Sequence, residues 1–144
     1  MRLDRILMKI KNKKILLFLL FFLIFSDQLV KYFIRLRGGF YVCNPNLAWG
    51  ASLPPYLFLI LWIGIIVGLL YFFQTSKNKW AFILIFSGAF SNLLDRLIHG
   101  CVIDFIDLGF FFTSLKGWPI FNLADSLIVL GLIIIILKKN KNVS

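Results

Sequence analysis

The stretch KWAFILIFSGAFSNLLDRLI, residues 79–98, decides the fold. Its length matches the roughly 20 helical residues that a hydrocarbon core requires. A helix facing lipid all round has no use for Ser87, Gly88, Ser91, Asn92, Asp95 and Arg96, and a soluble helix is not so apolar. Both properties fit a membrane helix inside a bundle, where small residues let neighbours approach and ionisable ones face inward.

Three further stretches can cross a membrane, at about 15–34, 55–73 and 119–137. The chain is 60% hydrophobic with seventeen Phe and a mean hydropathy of +0.91, well above the apolar share of about 45 to 50% in soluble domains. We therefore expect an all-α membrane protein, a single integral domain over 1–144 with four transmembrane helices. The first stretch follows Lys9, Lys11, Lys13 and Lys14 like a secretory signal, but SDQLVKYF comes after it rather than a small-residue cleavage site. It is expected to be retained as a span.

The net charge of +10 does not point to nucleic acid, because the cations flank apolar runs instead of forming a groove. Arg2, Arg5 and the four lysines precede the first span, Lys77 and Lys79 join the second and third, and Lys138, Lys139 and Lys141 follow the fourth. The positive-inside rule puts these segments and both termini in the cytoplasm. Trp80 and Trp118 suit opposite interfaces as anchors. Gly64 and Gly68, and the face of Ser87, Gly88 and Ser91, suit close helix packing.

There is no glutamate, and five of the six aspartates, Asp27, Asp95, Asp104, Asp107 and Asp125, lie in or beside strongly apolar segments. In this topology all five fall near the outer face. Helical spacing puts Lys31 four residues after Asp27, Asn92 three before Asp95 and four before Arg96, and Asn122 three before Asp125. Buried ion pairs, Asp27 with Lys31 and Asp95 with Arg96, are the structural explanation of those two aspartates. Asp125 has no cation within a turn.

In VIDFIDL the β-branched and aromatic residues favour a strand, which turns Asp104 and Asp107 to opposite faces. Only one faces a shared site with ease, and the residues alone favour Asp104 only weakly. Two carboxylates in a poorly hydrated site share one proton near neutral pH. An aspartic protease uses that arrangement: one carboxylate takes a proton from water while its protonated partner polarises the scissile carbonyl. His99, Cys43 and Cys101 form no metal or serine-hydrolase motif. Both cysteines are expected as buried free thiols, although a disulfide on the outer side is chemically possible.

The series SDQLVKY, NPNLAWG, SGAFSNLLDRL, GCVIDFID and FNLADSLIVLG, running in order from about residue 26 to 131, resembles the lipoprotein signal peptidase (signal peptidase II) family. The resemblance implies a bacterial membrane aspartic endopeptidase that cleaves prolipoproteins just before the diacylglyceryl-modified cysteine. It maps the catalytic pair onto Asp104 and Asp125, and supporting residues onto Asp27, Asn44, Asn92, Asp95, Arg96 and Asn122. It also implies a small extracytoplasmic β-cradle from the first and second outer loops, no cofactor and no metal. Lipidated prolipoproteins and membrane lipids are the implied partners of a monomer in the plasma membrane, with the site near the outer face. NPNLAWG departs from the family at Asn46, where Gly is usual, at Trp49, where Phe is usual, and by the added Pro45. Other functions the residues allow are a non-catalytic lipoprotein-binding relative and a small proton-coupled transporter, but no internal repeat favours the latter.

Overall fold

The computed structural model describes residues 2–46, 54–76 and 78–140. Lys77, Trp49 and Lys141 lie outside the described residues. The elements run α1 (Arg2–Leu36), β1 (Val42–Asn44), α2 (Pro55–Thr75), α3 (Lys79–His99), β2 (Val102–Asp104), α4 (Leu108–Phe111), a 3-10 turn (Thr113–Leu115) and α5 (Leu123–Asn140).

Among the described residues three segments are helical, long and apolar enough to cross a membrane: Asn12–Leu36, Tyr56–Thr75 and Lys79–His99. In α5, Asp125 stands near one end and Lys138 and Lys139 at the other, with apolar residues between. Large apolar side chains cover the outside, from Phe18 and Phe21 on α1 to Tyr71 on α2 and Ile136 on α5. Such a surface suits lipid rather than water.

The centre of the bundle is α3, which packs against α5 on one side and α1 on the other. Small residues permit this: Ser87 and Ser91 are fully buried, and a Cβ on Gly88 would strike the Ala124 carbonyl oxygen. The fit is reciprocal, because a Cβ on Gly131 of α5 would come within 2.6 Å of the Ala81 carbonyl oxygen of α3. The expected packing role of Gly64 and Gly68 is not met, since a Cβ at either would meet nothing within 4 Å. Helix α2 leans on α3 through aromatic side chains instead, Trp62 edge-on to Phe90 and Phe73 edge-on to Phe82 and Phe86.

The outer loops meet as a two-stranded antiparallel ribbon, with Val42 opposite Asp104, Cys43 opposite Ile103 and Asn44 opposite Val102. The helix expected from 119 begins later, at Leu123, because residues 119–122 are not helical and Phe121 exchanges backbone hydrogen bonds with Ile106. Asn122 then opens α5 reciprocally: its Oδ1 accepts from Asp125 N at 2.9 Å, and Asp125 Oδ2 accepts from Asn122 N at 3.1 Å. This is a capping box, which satisfies otherwise unpaired donors at the helix start.

The cysteines are not free. Cys43 and Cys101 form a disulfide with Cα atoms 5.4 Å apart: Cys43 pairs with Ile103 in the ribbon, and Cys101, just before β2, is its diagonal neighbour two residues along.

Candidate active site

Beside the ribbon an open cleft of about 350 Å³ is lined by Asn44, Asn46, Asn92, Arg96, Asp104 and Asp125, with Trp118, Ile128 and Val129 among its apolar walls. Two carboxylates face it, each fixed by a different element. Asp104 ends β2 and is 3% exposed. Its Oδ2 accepts from Asn44 Nδ2 at 3.1 Å and its Oδ1 from Asn122 Nδ2 at 2.7 Å. Asp125 sits in the first turn of α5 and accepts from Asn92 Nδ2 at 2.7 Å.

Asn122 holds both carboxylates, using its side chain on Asp104 and its backbone N–H on Asp125. Its amide also donates to Asn92 Oδ1 at 3.0 Å, so the three asparagines form a frame of neutral donors around two acids. Removal from water pushes Asp104 up to about 6, against the Asn44 hydrogen bond and with the Asp125 charge adding to the rise.

Behind the asparagines lies an ionic cluster built on Lys31. Its buried ammonium lies 2.7 Å from both Asp27 Oδ2 and Asp95 Oδ2 and donates to Asn92 Oδ1 at 3.1 Å. Its three donors are thereby matched. The expected Asp27–Lys31 pair is present, but Asp95 pairs with Lys31 across two helices rather than with Arg96. Neighbours in a helix point about 100° apart, so one can face α1 while the next turns to the cleft. Arg96 donates to the carbonyls of Asn92 and Asn46 and stacks over Phe58.

Each cluster aspartate also secures a backbone. Asp27 Oδ1 accepts from Ala124 N at 2.9 Å, so α1 caps the start of α5, a position where helix geometry favours negative charge. Asp95 Oδ2 accepts from Ile103 N at 3.1 Å and fixes β2 one residue before Asp104. Gln28 was not singled out in the sequence, yet its Nε2 donates to Asp95 Oδ1 at 2.8 Å and to Ser91. The available signal was its position three residues before Lys31 on the same helix face. Asp107 lies elsewhere and caps α4 by accepting from Gly109 N and Phe110 N. His99 meets Arg35 on the exposed surface.

A helical membrane protein with two carboxylates facing one cleft is the class that fold and site define. The comparisons narrow it: the profile of the signal peptidase (SPase) II family matches residues 19–140, and the chain belongs to that family of peptidases. A lipoprotein signal peptidase of Thermodesulfovibrio yellowstonii is 34% identical over 140 residues, covering 85% of this chain and 92% of its own. One from Staphylococcus aureus is 35% identical over 145 residues, covering 85% and 86%. Two solved structures of bacterial membrane enzymes are similar, with TM-scores of 0.76 and 0.73 at 30% and 31% identity. They cover 91% and 87% of this chain and 90% and 92% of their own.

Proposed function

We propose that the chain is a membrane aspartic endopeptidase that removes the signal peptide from diacylglyceryl-modified prolipoproteins, cutting just before the lipidated cysteine. The observation that carries the reading is that Asp104 and Asp125 line one cleft and share Asn122, within the segment matched to the family. In this mechanism a water between the carboxylates gives its proton to the ionised one and attacks the scissile carbonyl carbon. The protonated partner hydrogen-bonds the carbonyl oxygen. Collapse of the tetrahedral intermediate returns a proton to the leaving amine, and the dyad recovers its single shared proton.

Asn44, Asn92 and Asn122 orient the two acids without adding charge, while Arg96 opposes the negative charge of the cleft. Asp27, Lys31 and Asp95 hold the helices and β2 that carry the dyad. The chain crosses the membrane four times, α5 being the fourth span, with both termini cytoplasmic and the site near the extracytoplasmic face. There a substrate anchored by its own signal helix and acyl chains presents its scissile bond. Trp118, Ile128 and Val129 offer that substrate an apolar wall.

Cleavage of a diacylglyceryl-modified prolipoprotein, read as a gel shift, tests the reading. Wild type should cleave, Asp104→Asn and Asp125→Asn should lose activity by about a hundredfold or more, and Asp107→Asn should retain it. A folded wild-type protein inert on lipidated substrate would overturn the reading.

A further inference from the structure

Strand β1 supplies Asn44 to the cleft but has little to hold it. Its three residues are exposed or half-buried, whereas all three of β2 are buried. A ribbon this short is marginal by itself. Residues opposite one another share a face, and faces alternate along each strand. Asn44, Val102 and Asp104 therefore lie on one face, while Cys43 and Ile103 lie on the other. The disulfide joins Cys43, the residue before Asn44, to Cys101, the residue before β2. On the opposite face Asn44 Nδ2 reaches Asp104 Oδ2 at 3.1 Å.

Cys101 is buried and adjoins Gly100, which ends α3 at φ 74°. One end of the cross-link is thus set in the bundle and the other in the exposed strand. Asn44 also holds its own turn, its Oδ1 accepting from Asn46 N at 3.0 Å, and Arg96 takes the Asn46 carbonyl at 3.0 Å. Those contacts shape the turn after β1. Register along β2 is secured covalently only by the cysteines.

We propose that the Cys43–Cys101 disulfide is a positioning element of the active site: it keeps β1 in register on β2 so that Asn44 remains hydrogen-bonded to Asp104. The kinetic part of this inference rests on the peptidase reading; the structural part does not. The bond belongs on the oxidising side of a bacterial membrane, where such cross-links persist.

The test is a cycle between reduction and Asn44→Ala, made on the full-length protein in detergent with free-thiol titration confirming that the disulfide has opened. Losing a hydrogen bond to a charged group is expected to lower wild-type kcat on reduction by about tenfold with KM little changed. Reoxidation should restore it. Asn44→Ala should lose a similar factor and then lose less than about twofold more on reduction, because the two changes remove the same contact. Equal additional loss in Asn44→Ala, or a reduced wild type that cleaves at the oxidised rate, would overturn the proposal. If even oxidised wild type is inert, the peptidase reading falls, and amide exchange at residues 42–44 decides the inference alone. Faster exchange on reduction, with helical circular dichroism unchanged, supports it; unchanged exchange overturns it.

Discussion

Asp104 is a carboxylate whose surroundings hold its proton more tightly than water does. The unfolded chain binds that proton at 3.8 and the folded chain at about 6. The sign follows from linkage: this residue's favourable contribution is fully present below 3.8 and is lost as pH rises through about 6. Denaturation of wild type and Asp104→Asn across that interval should therefore show the pH slope flattened in the variant. Lys31 gives a second outcome. Lys31→Met leaves Asp27 and Asp95 buried without their cation, at a cost of about 3 to 5 kcal/mol, whereas Lys31→Arg should lose less; thermal unfolding in detergent measures both. The Asp27–Lys31 contact was legible because both residues belong to one helix at regular spacing. The partner of Asp95 was not, since a contact between α1 and α3 leaves no spacing in the sequence. Asp104 and Asp107 were separable by strand alternation only in part; the resemblance chose between them, and the α4 cap shows what Asp107 does instead.

At the scale of elements, hydropathy found α2 and α3 nearly to their ends, missed the helical turns of α1 before residue 15, where lysines interrupt the apolar run, and placed the fourth helix too early. The missing signal was local. Asn122-Leu-Ala-Asp125 has the spacing of a capping box, and Phe121 before it is tied to Ile106. Hydropathy averages over such a boundary, while capping chemistry marks it to the residue. The contact between α3 and α5 was half legible: the small face of α3 was visible, but Gly131 and the idleness of Gly64 and Gly68 depended on which helices are neighbours. We expect Gly88→Ala to lower stability by about 1 to 3 kcal/mol and to reduce cleavage, because Ala124 must move and adjoins Asp125. Gly64→Ala and Gly68→Ala, which meet open space inside a helix, should leave stability unchanged or raise it by up to about 1 kcal/mol. Equal effects at all three positions in a denaturation series would contradict this packing.

For the whole molecule, the proposed orientation rests on charge and can be checked by position. In a background with both native cysteines replaced by Ser, Lys116→Cys should react with an impermeant maleimide added to intact cells. Ser76→Cys should react only after lysis, and the reverse pattern would invert the proposed topology. The helical architecture was readable because a bilayer forces apolar length into the sequence. The candidate site was proposed mainly from motif order, since its geometry depends on joining parts distant in the chain. Among the described residues the longest of these joins is the hydrogen bond from Ala124 to Asp27, which links α5 to α1 across 97 residues. During synthesis α1 enters the membrane early, yet its carboxylate has no helix end to receive until the final segment arrives. The cleft cannot be completed on a growing chain. On the proposed peptidase reading, hydrolytic competence would therefore begin only once α5, which carries Asp125, has joined the other helices.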